Sequence, residues 1–557
     1  MLFSSPGHSG IIAEPRRIPG ALPKRGSRSP FLIVQGVHRV VAGPCGWKEG
    51  VRMLSFEEKV LKGVIEMREC GLFINGTWTA ASSRDTFETT NPATGEVLAR
   101  CAAGNEEDVV KAADAAAKSF GDWKRFPAPK RGEIILKAAS ILRQRKKSLG
   151  EMVTREMGKV IAEGEGDVQE AIDFLEYIAG EGRRMLGETT TSELHDKRCM
   201  TVRQPVGIVG CITPWNFPFA VPSWKLGAAL IAGNTVVFKP SSLTPLCAAA
   251  LVEIFQEAGI PPGVLNMVTG SAQTVGQAIV EEERIRTLSF TGGVAAGREI
   301  YSRASKKLKR VALELGSKNP LIVMDDADVD LALEGILFGA FGTAGQRCTA
   351  TSRLLVHEKV YPQVMDRLVR RTRALKVGDP LDPSVDMGPV CGPEQELKVL
   401  NYIDIGIKEG ARLVYGGKKL KEGDYGKGFF IEPTLFEATH GLRITKEEIF
   451  GPVLSVIKVS SYEQAIRIAN DVDYGLSSSI YTKDINKAYR AIDDLEAGIT
   501  YINAPTIGAE VHLPFGGVKN TGNGAREAGT AAIAEFTEIK TVFIDYSERL
   551  QKAQIER

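Results

Sequence analysis

Between residues 205 and 308, apolar β-prone runs alternate with longer amphipathic segments, and no other feature of the chain constrains its fold as tightly. "PVGIVGCITP", "NTVVFKP", "GVLNMVTG" and "IRTLSFTGG" read as strands. Each is followed by a helical segment: "FAVPSWKLGAALIAG", "PLCAAALVEIFQEAG", "AQTVGQAIVEEE" and "AAGREIYSRASKKL". Strands and helices alternating at this length predict an α/β chain with a parallel, doubly wound sheet. Ligands of such sheets sit outside the strands' carboxyl ends, so the turns after the strands are the places to look for chemistry. A second α/β run starts near "NPLIVM", passes "LVYGGKKL" and ends at "AGITYINAP". Ahead of both, residues 106 to 182 have helical periodicity, and "GLFINGTW" with "TFETTNPATGEVLARC" reads as a hairpin region. The β-prone segments "TVRQPVG" and "EIKTVFIDY" belong to neither unit and predict edge strands.

Composition narrows the function. The 557 residues are 43% hydrophobic and 25% charged with net charge +2, enough chain for two or three domains. A nearly neutral chain lacks the basic face of a nucleic-acid or membrane-surface binder, so neither partner is expected. No apolar run approaches the roughly 20 residues that span a bilayer; "KLGAALIAGNTVVF" is broken by glycine and asparagine. Eight cysteines without a CxxC pair, and six histidines without HExxH, predict no disulfide framework and no metal site. A cytoplasmic location is expected. Residues 1–52 hold eight Lys/Arg against two Glu, with much Gly, Pro and Ser and no periodicity. A transit peptide is one reading. An over-extended start is the preferred one: "WKEG" back-translates to a purine-rich ribosome-binding sequence just before Met53, so 1–52 is expected to be disordered and without function.

The turns carry polar residues that a fold alone does not require. Asn216 follows the first strand in "PWNFP", where an asparagine has ordinary turn chemistry as its simpler explanation. Lys239 ends the second strand in "FKPSS", where a solvated lysine is the simpler reading. "FTGGVAAG" places Gly292, Gly293 and Gly297 at a helix start, a possible seat for a pyrophosphate, though not with GxGxxG spacing. Glu314 stands between two leucines in "VALELGSKNP"; burial there raises a carboxyl pKa and suits a general base, or else an ion-paired structural acid. Cys348 in "FGTAGQRCTATSR" has polar neighbours, where an inert core cysteine would have apolar ones.

"PWNFP", "FKPS", "FTGG", "LELGSKNP", "GQRC", "EEIFGPV" and "PFGGVKNTGNGAREAG" occur in the order and spacing of the aldehyde dehydrogenase superfamily, which the chain resembles from about residue 70 to 546. "FGTAGQRCT", "YGLSSSIYT" and "TIGAEVHLPFGG" are most similar to its semialdehyde and antiquitin-like branch. The resemblance implies a Rossmann-like cofactor domain (71–186 and 206–316), a catalytic domain (317–520) and oligomerisation strands (187–205 and 536–546) of a homodimer or homotetramer. Residues 53–70 are expected as a helix or linker, and 521–535 and 547–557 as C-terminal segments. It implies Cys348 as nucleophile, Asn216 in the oxyanion hole and Glu314 as the base that hydrolyses a thioester. NAD or NADP contacts are implied at Thr213, Pro214, Trp215, Asn216, Lys239, Ser241, Ser242, Phe290, Thr291, Gly292, Gly293, Gly297, Leu315, Glu448 and Phe450. Substrate contacts are implied at Phe219, Trp224, Phe515 and Arg347, the last receiving an anionic tail or else pairing with a structural carboxylate. Ser242 stands where NAD-specific members often have Glu, which implies that NADP is tolerated. Two rivals remain: a thiol hydrolase using His512 as base, and a catalytically silent scaffold. Broad specificity for neutral aldehydes is the alternative to a semialdehyde substrate.

Overall fold

The structure, a computed structural model, describes residues 68–555; the expectations for 1–52 and for 53–67 lie outside the described residues. Residues 68–70, expected as part of a helix or linker, instead form the strand Arg68–Cys70, paired in parallel with Val97–Ala102.

Among the described residues, two seven-stranded sheets organise the chain. The first runs in the order Arg310–Glu314, Ile285–Thr291, Ile208–Ile212, Thr235–Lys239, Leu265–Met267, Leu72–Ile74, Thr77–Thr79. Its first five strands are parallel. The last two are the hairpin of "GLFINGTW", joined antiparallel through Met267 opposite Phe73. That hairpin turns on Asn75 (φ 53°) and Gly76 (φ 79°), the left-handed pair that a two-residue turn needs to match strand twist. The strands Ile208–Ile212 and Thr235–Lys239 are buried along their whole length, because helices cover both faces; this explains their unbroken apolar text.

The second sheet has the order Arg412–Tyr415, Thr434–Glu437, Val453–Val459, Thr351–His357, Asn319–Val323, Ser477–Tyr481, Ile499–Ile502. All neighbours are parallel except the first pair. The helices Glu106–Arg125, Ala128–Gln144, Lys146–Met157 and Ile161–Glu181 account for the helical periodicity of 106 to 182. The two expected edge strands pair with each other: Thr537–Asp545 lies antiparallel to Lys197–Pro205, which also holds Thr189–Thr191. Ile539 and Phe543 on this outlying sheet are each more than half exposed.

The edge strand Arg310–Glu314 closes the first sheet on one side, and the next strand in sequence, beside the central strand of the second sheet, begins at Asn319. A few residues therefore carry the chain from one sheet's carboxyl end to the other sheet, and Cys348 lies just ahead of the neighbouring strand Thr351–His357.

Candidate active site

The helix Val329–Phe341, capped by the Asp328 side chain, delivers the chain to a loop that strains the backbone. Thr343, Ala344 and Gly345 take positive φ in succession (54°, 52° and 68°). For non-glycine residues this conformation persists only where the surroundings enforce it. The enforcement is visible. Thr343 N–H donates to the Glu163 carboxylate, and a Cβ on Gly345 would lie 2.2 Å from the Gly451 carbonyl oxygen, so only glycine fits. Gln346 is fully buried; its Nε2 donates to the Thr343 carbonyl (3.1 Å) and its Oε1 accepts from Cys391 N–H (2.8 Å). Asn319 Nδ2 donates to the carbonyls of Cys348 (2.8 Å) and Ala350 (2.9 Å). The polar collar around the cysteine is thus the scaffold of its loop.

Cys348 is half-buried in a cleft lined also by Ser317, Asn319, Arg347, Glu448 and Phe450. Burial first, then the carboxyls of Glu314, Glu448 and Glu170, push its pKa up to about 12. The resting side chain at neutral pH is therefore a thiol, and its proton must leave as it reacts. Asn216 is buried in the turn after Ile208–Ile212 and its Nδ2 donates to the Gln346 carbonyl (3.1 Å). One N–H of that amide anchors it to the cysteine loop, and the second remains for a ligand oxygen.

Glu314 is 3% exposed, and neither carboxyl oxygen has a hydrogen-bond partner. Glycines make the room for it: a Cβ on Gly516 would meet Oε1 at 2.5 Å. Burial raises its pKa well above the usual carboxylate range and the nearby Glu527 adds to this, while Lys225 and Arg526 oppose it. Among the described residues Glu314 has no ion-pair partner. The pair beside it is Lys225 with Glu527, and Lys225 Nζ also donates to Ser289 Oγ (2.9 Å). Sequence reasoning missed both partners, which stand 302 residues apart and leave no local pattern.

The turns of the first sheet carry groups that fit a dinucleotide. Gly293 precedes the helix Val294–Ser305, and a Cβ there would meet nothing within 4 Å, so the helix N-terminus faces open space. Gly292 packs on Phe290, and Gly297 packs on Leu315, where a side chain would collide at 2.5 Å. Lys239 is buried without an acid partner; its Nζ donates to the Pro240 carbonyl (3.1 Å), and burial pulls its pKa down to about 8. Thr213 Oγ1 is buried without a partner. Thr291 Oγ1 donates to Glu527 (3.4 Å). Ser242 Oγ donates to the Gly270 carbonyl (2.9 Å), and Ser241 Oγ accepts from Leu243 N–H (3.2 Å). Glu448 accepts from Ser317 N–H (2.8 Å) and is held against Gly316; Phe450, at φ 62°, meets the Trp215 ring edge-on at 5.6 Å beside Pro214. The unpartnered Thr213 hydroxyl, the buried Lys239 and the open helix end fit the phosphates and hydroxyls of a dinucleotide.

Of the expected substrate contacts, Trp224 and Phe515 meet edge-on at 5.0 Å, both largely buried. Phe219 is fully buried in front of the helix Ala220–Ile231, while Phe217 in the same turn is half-buried. At Arg347 the structure shows the second of the two readings, the pairing with a structural carboxylate. Its Nε donates to Thr343 Oγ1 (2.9 Å) and its Nη2 to Glu163 (2.8 Å). His512, the base a thiol hydrolase would need, is half-exposed and lies 3.6 Å from Glu510.

Residues 78–542 match the model of the aldehyde dehydrogenase family. The chain is 42% identical over 474 residues to the α-ketoglutaric semialdehyde dehydrogenase of Bacillus subtilis (strain 168), covering 85% of this chain and 97% of the relative. Its fold is similar to that of betaine aldehyde dehydrogenase from Staphylococcus aureus, solved in complex with NAD+ (TM-score 0.85, 34% identity, 86% of this chain and 95% of that one). It is also similar to a 3,6-anhydro-L-galactose dehydrogenase in complex with NAP (TM-score 0.83, 36% identity, 86% and 100%). An α/β chain with a half-buried thiol, an unpartnered carboxyl and a dinucleotide cradle, matched over most of its length, belongs to the aldehyde dehydrogenase family of NAD(P)-dependent oxidoreductases.

Proposed function

We propose that the chain oxidises a short, carboxylate-bearing semialdehyde of the 2,5-dioxopentanoate type to the acid. The observation that carries the acid product is Glu314, a buried carboxyl without a partner whose charge state is felt by the Cys348 thiol. The substrate class is supported by the similarity to the α-ketoglutaric semialdehyde dehydrogenase.

In this reading the Cys348 sulfur adds to the aldehyde carbon, and the Asn216 amide with the Cys348 N–H stabilises the oxyanion. Bound nicotinamide supplies the hydride acceptor, which leaves a thioester on Cys348. Glu314 then takes a proton from the water that attacks the thioester, and the carboxylic acid leaves. Thr213, Trp215, Lys239, Gly292, Gly293, Glu448 and Phe450 hold the dinucleotide. The outlying sheet of Lys197–Pro205 and Thr537–Asp545 is the oligomerisation element, because its exposed Ile539 and Phe543 are unfavourable in water. Ranking kcat/KM over 2,5-dioxopentanoate, succinate semialdehyde and neutral aldehydes of equal length tests the substrate class; a preference for the neutral series would overturn it.

Cofactor choice rests on Ser242, which presents no carboxylate to a 2′-phosphate, so both NADP and NAD are accepted. Ser242→Glu is expected to raise KM for NADP about 10-fold or more relative to NAD, since a carboxylate facing a phosphate at short range is repelled in a partly buried site. An unchanged NADP/NAD ratio would place the determinant elsewhere.

Arg347 commits one donor to Thr343 of its own loop and one to Glu163, so Arg347→Met leaves Glu163 without its cation. Breaking a largely buried pair costs about 3 kcal/mol. The expected result is a loss of thermal stability and similar losses of kcat/KM for charged and neutral aldehydes. A loss confined to the charged aldehyde would restore a tail-binding role to the remaining nitrogen, Nη1.

A further inference from the structure

The helix Lys146–Met157 ends at Gly158 in the left-handed conformation (φ 93°), and Lys159 and Val160 alone carry the chain into the next helix, Ile161–Glu181. Lys159 is fully buried in this corner. Glu163 and Asp167 stand four residues apart in the helix that follows and share one face of it. Each carboxylate accepts a backbone N–H from a distant segment. Glu163 takes Thr343 N–H (2.9 and 3.0 Å) and so holds the cysteine loop, with Arg347 Nη2 as its cation (2.8 Å). Asp167 Oδ1 takes Ala220 N–H (2.8 Å), where the Asn216 turn enters its helix, and Asp167 Oδ2 takes Lys159 Nζ (3.3 Å).

Lys159 does more than neutralise Asp167. Its Nζ lies 3.8 Å from the ring centre of Phe217, the residue after Asn216, and the Arg347 guanidinium lies 5.6 Å from the same ring. The Asn216 turn is therefore gripped at Phe217 by two cations and at Ala220 by a carboxylate, all of them tied to one helix end. A fully buried ion pair contributes little to holding a fold, since apolar side chains of similar volume hold it about as well. What this pair adds is direction, because a charged acceptor fixes where the Ala220 N–H stands and a cation fixes the plane of the ring.

We propose that Lys159 and Asp167 are positioning residues of the oxyanion hole: they fix the Asn216 turn to the helix that Glu163 fixes to the Cys348 loop, so that one helix end sets the separation of the two donors. This rests on the reading of the Asn216 amide and the Cys348 N–H as those donors. One donor follows a strand of the first sheet, Ile208–Ile212, and the other precedes a strand of the second, Thr351–His357, so neither sheet alone sets the distance between them. Donors act only within about 2.7 to 3.1 Å of the developing oxyanion.

The test compares two reactions of Cys348 in the full chain. Acylation by p-nitrophenyl acetate passes through a tetrahedral oxyanion, whereas alkylation by iodoacetamide displaces iodide from a saturated carbon and forms none. Both need the same thiolate, so the ratio of their rates, read by mass on the peptide containing Cys348, cancels thiol reactivity and reports the oxyanion hole. Lys159→Met/Asp167→Leu replaces the pair by apolar groups of similar size. It is expected to lower the ratio about 100-fold, the effect of a displacement of about 1 Å at a reacting centre, while KM for the dinucleotide stays unchanged. Lys159→Met/Asp167→Asn keeps an acceptor for the Ala220 N–H and removes the cation from Phe217. It should lower the ratio about 10-fold, the weight of one buried cation–π contact, and it carries the test if the first variant does not fold. A ratio that stays unchanged, whether or not both rates fall, overturns the proposal. Asn216→Ala separates this failure from that of the underlying reading. If it lowers the ratio and the pair variants do not, only the proposal fails; if it leaves the ratio unchanged, the oxyanion-hole reading fails and the proposal falls with it.

Discussion

Cys348→Ala is expected to reduce aldehyde oxidation by at least about 10,000-fold, the scale on which covalent enzymes lose kcat when the nucleophile goes. Hydrolysis of activated esters should vanish with it, because that reaction also passes through an acyl group on the sulfur. Dinucleotide binding should survive, since the cradle of Gly292, Gly293 and Lys239 belongs to the other sheet. The loop should survive too: its positive φ run is fixed by Glu163, Gln346, Asn319 and Gly345, none of which bonds to the thiol. The check is steady-state absorbance at 340 nm beside fluorescence titration of the cofactor. Retained oxidation in a folded variant would refute the role of Cys348.

Glu314→Gln separates the two halves of the reaction. Gln cannot take a proton from water, and general-base catalysis contributes about 100- to 10,000-fold. The expected result is a first burst of reduced cofactor, near one equivalent per subunit, followed by turnover slowed by about that factor. The trapped thioester should appear as an acyl mass on the peptide containing Cys348. The pH profile follows from the raised pKa. Only the carboxylate form acts as base, so deacylation-limited turnover should climb as pH rises through the Glu314 pKa and lose that climb in the Gln variant. A variant with full steady-state rate would remove Glu314 from deacylation.

The polar residues at the strand ends were legible because a parallel sheet needs nothing of the kind there. Asn216, Lys239, Glu314 and Cys348 each broke the apolar pattern at a turn or strand end, and the fold brings the carboxyl ends of the first sheet's strands and the amino ends of the second sheet's strands toward one cleft. The seven motifs supplied the order, and the strand and helix boundaries followed from periodicity within a few residues. Neighbouring aromatics in a turn look alike in a string, and only the fold separates them: the turn buries Phe219 and leaves Phe217 half open. Arg347 stayed undecided between two readings for a different reason. Its partner Glu163 is 184 residues away, and nothing local distinguishes a guanidinium aimed at substrate from one holding its own loop.

By itself, the sequence determined the α/β architecture, the thiol, the carboxyl and the glycine turn, because each depends on local periodicity or on a residue type at a turn. Only the tertiary structure decided their electrical state. It left Glu314 without a partner among the described residues while pairing Lys225 with Glu527, and it turned Arg347 onto Glu163. Such assignments depend on which charges from distant segments share one low-dielectric volume, and neither spacing nor composition encodes that distance.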